Sequence, residues 1–183
     1  AIPTDLKQIQ KLTGCVAALS RFISRLGEKA LPLYRLLRRI KHFEWTDAAT
    51  AGLEEIKAIL ATNPILATPN VDEPMLLYIA ATHQVVSAML VVERETDGHK
   101  FPLQKPVYYV STVLTPCKSR YPHYQKIAYT VFMASRKLRH YFQECSITVA
   151  SEVPLNDIIN NRDATGRISK WAIELLPFDI TYK

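Results

Sequence analysis

The sequence predicts an α+β or α/β fold, with a small helical segment followed by a mixed five-stranded sheet that has helices packed on it. Apolar residues recur at steps of three and four through the first 62 residues, as on amphipathic helices, and the period then becomes strand-like. Residues 75–80 and 85–92 are apolar, partly β-branched runs on either side of the polar Thr82-His83-Gln84, which indicates two paired strands. The elements that follow are a strand, a helix, a strand, helices and a strand, an order that favours a mixed sheet.

Four helices are predicted in the first segment. A cap-like Pro3-Thr4-Asp5 opens the first helix, and Gly14 breaks its pattern before the second. The third has Pro32 in its first turn, where a missing N–H does no harm. Thr46 can cap the fourth helix through its side-chain oxygen. The predicted ranges are 6–12, 15–25, 28–41 and a last helix from Thr46 to about residue 62.

A boundary is predicted directly after the fourth helix. Asn63-Pro64 stops that helix, and residues 65–73, flanked by further prolines, have no periodicity. We therefore divide the chain into a helical subdomain at 1–66 and a sheet domain at 67–183.

The sheet domain is predicted to contain one long helix at its centre. Asp97-Gly98 marks a tight turn between the second and third strands. The apolar residues of the long helix recur at steps of three and four, which marks the face that lies on the sheet. The further predicted elements are strands at 106–111, 146–150 and 178–183, and helices at 123–141, 154–159 and 165–176.

Composition excludes several classes of protein. The hydrophobic fraction of 48% and a mean hydropathy of −0.02 are typical of a globular core and not of a disordered or fibrous chain. No apolar run approaches the roughly 20 residues that a membrane span needs. Cys15, Cys117 and Cys145 are widely spaced and odd in number, so neither a disulfide framework nor a zinc site is indicated. Buried cysteines in a reducing compartment are expected.

Positive charge is concentrated in two stretches. Residues 7–41 hold nine Lys or Arg residues against the single acid Glu28, and residues 118–140 hold six such residues and no acid. Clusters of this kind suit a polyphosphate backbone, because each neutralised phosphate releases counterions. They are also typical of a solvated helix face. Nucleic acid is therefore the partner that charge favours.

Several segments of the chain resemble the polymerase polyprotein of plant gypsy-type LTR retrotransposons. The resemblance covers nearly the whole chain, and although each motif is weak, the ordered series is specific. The matching segments are 6–14, 20–25, 43–46, 105–111, 120–122, 139–142 and 161–172. The resemblance implies a reverse transcriptase thumb followed by a ribonuclease-H-like domain of the connection type, truncated at its C-terminal end.

The resemblance also implies where catalytic carboxylates should lie. Active members hold two Mg²⁺ ions with acids at the end of the first strand, early in the long helix and after the fourth strand. These positions correspond to Ala80, Ile127 and Ser151, none of which offers a carboxylate. A shift of one residue would place Glu152 at the third position, as the single remnant acid. No catalytic residue and no metal or other cofactor is therefore expected.

The predicted function is that of a non-catalytic thumb and connection segment that helps to hold an RNA–DNA hybrid. It would position an active ribonuclease H elsewhere in the polyprotein, inside an intracellular (cytoplasmic) virus-like particle. The candidate nucleic-acid contacts are Lys11, Arg21, Arg25 and Lys29. One alternative is an active, Mg²⁺-dependent ribonuclease H that uses Glu152. The other is a host-captured fragment used only for protein interaction.

Overall fold

The second half of the chain is built on five strands in the spatial order β3-β2-β1-β4-β5. The computed structural model describes residues 2–38, 43–161, 163 and 166–183. Strands β1 and β2 and strands β2 and β3 pair antiparallel, whereas β4 is parallel to both β1 and β5. The mixed five-stranded sheet that the sequence predicts is confirmed. The strands are β1 (Met75–Ala81), β2 (Val85–Arg94), β3 (Leu103–Val113), β4 (Ile147–Ala150) and β5 (Ile180–Tyr182).

The register of β1 and β2 gives the sheet two distinct faces. Met75 lies opposite Val92 and Ala81 opposite Val86. Because side chains alternate along a strand, these four residues share one face, and Ala80 with its partner Ser87 shares the other. The first face carries the main hydrophobic core.

Helix α6 (His123–Lys137) covers the first face of the sheet. The predicted helix at 123–141 is too long, because Leu138 leaves helical geometry at φ −114° and ψ 34°. A separate helix, α7 (Arg139–Glu144), follows it. Leu138 and Phe142 are both buried at 1% exposure, so the change of direction lets both side chains enter the core.

Three shorter helices complete this domain. The polar segment that was expected to be a loop contains α5, where the Thr115 hydroxyl accepts a hydrogen bond from the Lys118 N–H. The ring centroid of Trp171 lies 5.5 Å from that of Tyr129 on α6, so the last helix packs on α6. These helices are α5 (Pro116–Ser119), α8 (Leu155–Ile159) and α9 (Arg167–Leu175).

The helical region at the start of the chain has its own core. Its first helix runs through Gly14, so the predicted break there is wrong. Glycine costs about 1 kcal/mol relative to alanine inside a helix, whereas continuing the helix buries Ile9 and Val16 on one side. The Thr46 cap is confirmed, since its hydroxyl accepts from the Ala49 N–H at 3.2 Å. The helices are α1 (Leu6–Ala18), α2 (Leu26–Lys29), α3 (Leu31–Leu36) and α4 (Asp47–Ala61), with a 3-10 turn at Ser20–Phe22.

The predicted helix at 28–41 is divided in two. Arg25 adopts a left-handed conformation (φ 53°) and starts the short α2, and Ala30 separates α2 from α3. Pro32 lies in the first turn of α3, as predicted. Residues 39–42, the end of the predicted helix, lie outside the described part of the chain.

The helical region packs directly on the second face of the sheet. The backbone N–H of Gly27 donates to the Ser111 hydroxyl at 2.8 Å, and the hydroxyls of Ser111 and Ser87 are 3.1 Å apart. Further along, the Arg35 guanidinium donates to the Gln84 side chain at 2.7 Å. Helices therefore cover the sheet on both faces, with α6 on one and α2 on the other.

The segment between α4 and β1 is fastened to the sheet at several points. The Arg94 guanidinium on β2 donates two 2.8 Å hydrogen bonds to the Glu73 carboxylate and one to the Thr68 carbonyl. The Asn70 N–H also donates to Glu73. These bonds stabilise the ionised carboxylate and lower the pKa of Glu73 to about 2.

This pair predicts a specific acid dependence of stability. The pKa of Glu73 is lower in the folded chain than in the unfolded chain, so its contribution is complete above the ordinary glutamate pKa and is lost as the pH falls toward about 2. We expect Glu73→Gln to lower the thermal midpoint at pH 7 and to flatten its decline between pH 5 and pH 2. The measurement is circular dichroism melting across that pH range. Exposed Glu95→Gln is the control, and the same flattening in both variants would contradict the assignment.

Candidate nucleic-acid interface

The ends of the parallel strands β1 and β4 bring two of the proposed metal positions together. Tyr78 lies opposite Ala150, so Ala80 and Ser151 are at neighbouring strand ends. The side chain of Ala80 points to the second face of the sheet and borders a cavity of about 150 Å³ beneath Ser24 and Arg25. Tyr109 lines the same cavity, and burial raises the pKa of its hydroxyl.

The third proposed position lies elsewhere. Ile127, on α6, is 6% exposed and belongs to the hydrophobic core of the first face. The Ser151 hydroxyl accepts a hydrogen bond from the Val153 N–H, and Glu152 is exposed beside it. The structure thus brings Ala80 and Ser151 to neighbouring strand ends and places Ile127 in the core on the opposite side.

These side chains do not fit a Mg²⁺ site. Mg²⁺ is held through carboxylates and requires near-octahedral oxygen ligands. Ala80 and Ile127 have no side-chain oxygen, and the single oxygen of Ser151 is occupied by a backbone N–H. In the described ranges, no three His, Cys, Asp or Glu side chains form a group able to hold a metal ion.

The cysteines also differ from expectation. Cys15 and Cys117 are exposed and Cys145 is half-buried, so the expectation of three buried thiols is wrong. Burial nonetheless raises the pKa of the Cys145 thiol.

Two of the four predicted nucleic-acid contacts present their charge to solvent. Lys11 is exposed on α1. The Arg21 guanidinium is exposed and lies 5.2 Å from the centroid of the Phe22 ring and 5.3 Å from that of Tyr108 on β3. Stacking of this kind restricts the side chain without cancelling its charge. Both residues are available to a phosphate.

The other two predicted contacts are paired with acids. The Arg25 guanidinium binds the Glu28 carboxylate at 2.7 and 2.9 Å. The Lys29 ammonium lies 3.5 Å from the Glu55 carboxylate on α4. A nearby carboxylate competes with phosphate for each cation, so Arg25 and Lys29 are less available than Lys11 and Arg21.

The second basic stretch does not form a single surface. Lys126 is buried, and its ammonium donates to the carbonyls of Thr82 and His83 at the β1–β2 turn, at 3.3 and 3.0 Å. Lys118 instead bonds the Tyr129 hydroxyl at 2.9 Å. Counting charges along the sequence could not separate these inward-facing lysines from exposed ones.

Comparison with known proteins agrees with this architecture. Residues 45–149 match the family described as the RNase H-like domain found in reverse transcriptase. The chain belongs to this family. The family match begins inside the helical region, at the connector before α4, and ends in β4 of the RNase H-like sheet.

Curated relatives of this RNase H-like chain are much longer than it is. The Transposon Tf2-3 and Tf2-4 polyproteins of Schizosaccharomyces pombe are each 25% identical over 167 residues, which is 91% of this chain. The chain spans 12% of the length of these curated relatives.

Solved structures share the fold over the full length of the chain. The foamy viral protease-reverse transcriptase dRH in complex with double-stranded DNA aligns with a TM-score of 0.76 at 23% identity, covering 100% of this chain and 32% of that one. The foamy viral protease-reverse transcriptase in complex with an RNA/DNA hybrid aligns with a TM-score of 0.74 at 24% identity, covering 100% and 25%. Across the described residues, no helix is long and apolar enough to cross a bilayer.

Proposed function

We propose that this chain is the thumb (1–66) and a catalytically silent connection domain (67–183) of a gypsy-type retrotransposon reverse transcriptase of the plant type. The observation that carries the proposal is the set of side chains at the three metal positions. Ala80 and Ile127 are hydrocarbon and Ser151 offers one hydroxyl, so two Mg²⁺ ions would have no ligand set there. The RNase H-like sheet then serves as a scaffold that positions an active ribonuclease H elsewhere in the polyprotein.

In this proposal the helical region grips an RNA–DNA hybrid through its backbone. Lys11 and Arg21 are exposed cations on that region, suited to phosphates and without sequence readout. A foamy viral enzyme with the same fold is described in complex with an RNA/DNA hybrid, which supports the choice of ligand. Arg25 and Lys29 remain weaker candidates because of their acid partners.

The alternative function is an active ribonuclease H. The feature that favours it is Glu152, an exposed acid directly after β4, where the resemblance places a catalytic acid. One carboxylate does not make a two-metal site.

A cleavage and binding assay separates the two functions. We expect the purified chain to bind a labelled RNA–DNA hybrid at low salt and to leave it uncut with Mg²⁺ or Mn²⁺. The logarithm of the association constant should fall linearly with the logarithm of salt concentration. Lys11→Gln and Arg21→Gln should each reduce that slope by about one.

The control is Lys100→Gln, which removes the same charge from the exposed loop between β2 and β3. Metal-dependent cleavage that Glu152→Ala abolishes would establish the alternative instead. Absence of hybrid binding at low salt would overturn the gripping role and favour a protein-interaction fragment.

A further inference from the structure

A continuous groove runs between the helical region and the end of β3. It consists of two recesses of about 170 and 540 Å³, which share Tyr34 and Arg38 on the helical side and Val113 and Leu114 on the sheet side. We call this feature the junction groove.

The junction groove is positively charged. Arg35, Arg38 and Lys137 line it, and the lining residues in the described part of the chain include no Asp or Glu. The Arg35 guanidinium donates to the Gln84 amide oxygen and the Lys137 ammonium to the Thr112 hydroxyl, at 2.7 and 2.8 Å. These partners are neutral, so they orient the cations without cancelling their charge.

The remaining lining of the groove is suited to a sugar–phosphate chain. The side chains of Ser20, Thr115 and Ser119 supply hydroxyls along its length. Tyr34 gives both recesses an aromatic wall, and burial raises the pKa of its hydroxyl, so that it remains a neutral donor at physiological pH. Positive charge combined with an aromatic side chain is the pattern of single-strand binding grooves.

The dimensions and the charges together define the occupant. We propose that the junction groove binds one single strand of nucleic acid through its phosphates, separately from the duplex that the exposed helical surface grips. A recess of a few hundred Å³ between packed elements admits one strand, whereas a duplex could only lie across its mouth. This inference rests on the proposed function for its ligand class and adds a second binding site to it.

Desolvation of Lys137 supports this assignment. The cost of removing its ammonium from water lowers the pKa of Lys137 in the free chain. A phosphate bound beside it would offset that cost, because an opposite charge favours the protonated form.

The test compares two ligands on one set of variants. Arg38→Gln combined with Lys137→Gln should weaken binding of a labelled oligothymidine of about ten nucleotides by about tenfold or more, the loss expected for one charge-assisted contact. Its affinity for an RNA–DNA hybrid should change far less. Fluorescence anisotropy at fixed salt gives both constants, and thermal melting checks the fold.

Lys100→Gln is the matched control, since Lys100 lies near the start of β3, at the opposite end of that strand from the groove. Unchanged oligothymidine binding in the double variant would overturn the groove assignment and leave the duplex proposal intact. Loss of hybrid binding in Lys11→Gln or Arg21→Gln reports on the duplex site alone. Failure of the wild-type chain to bind either ligand would overturn both proposals.

A second measurement does not depend on the variants. Photocrosslinking of a 4-thiothymidine oligonucleotide to the wild-type chain should modify peptides that contain Tyr34 or Val113. Crosslinks confined to other surfaces would place the single strand elsewhere.

Discussion

Replacing Gly27 by alanine is expected to lower the free energy of unfolding by about 1–3 kcal/mol, the range for overpacking a well-packed site. A methyl group on Gly27 would lie 2.6 Å from the Ser111 Oγ and 2.7 Å from the Val85 Cγ1. Val85 is 1% exposed and has no free space to move into. The new contact would therefore push α2 away from the sheet and strain the 2.8 Å hydrogen bond from the Gly27 N–H.

Urea unfolding of Gly27→Ala beside Gly14→Ala makes this test specific. Gly14 lies inside α1 with no atom within 4 Å of the added carbon, so alanine there should be neutral or stabilising by up to about 1 kcal/mol. Equal stability of the two variants would mean that α2 does not rest on the sheet in solution.

The second large effect is expected from Ile127→Glu, which returns an acid to the helix position where the resemblance places one. Ile127 lies in the core at 6% exposure, so an unpaired carboxylate there should cost about 3 kcal/mol or more at pH 7. Burial would raise the pKa of the new glutamate above that in the unfolded chain. Destabilisation should therefore be smallest below about pH 4 and grow as the pH rises.

The control is Ile127→Met, which preserves volume and should cost less than about 1.5 kcal/mol. Mg²⁺ is expected to restore no stability to Ile127→Glu, because Ala80 and Ser151 bring no carboxylate to share it. A metal-dependent rise in the melting temperature would show that the three positions converge more closely than the structure places them.

The strands could be predicted from sequence because each presents a local pattern. Residues 75–81 and 85–92 are apolar runs bounded by polar turn residues, and Asp97-Gly98 supplies the turn that Gly98 takes with φ +85°. The helices were harder, since their ends depend on packing. Helix α1 passes Gly14, and α6 ends at Lys137, because in each case the path that buries more apolar surface prevails over the local signal.

The candidate site divides along the same line. The absence of carboxylates at Ala80, Ile127 and Ser151 is visible in the sequence, since it depends only on residue identity. The pairing of Lys29 with Glu55 and the burial of Lys126 are not, because both depend on contacts between distant segments. Gly27 and Ser111 were missed for the same reason, as 84 residues separate the two partners.

The fastening of the segment before β1 affects how force passes through the molecule. The Ala67 N–H bonds the Pro106 carbonyl on β3 at 2.7 Å, and Arg94 bonds both Thr68 and Glu73. A connection tied down in this way acts as a strut and not as a hinge. Any pull on the helical region would be transmitted to the sheet as rotation of one solid body, so the orientation of whatever the sheet carries would follow the helices without lag.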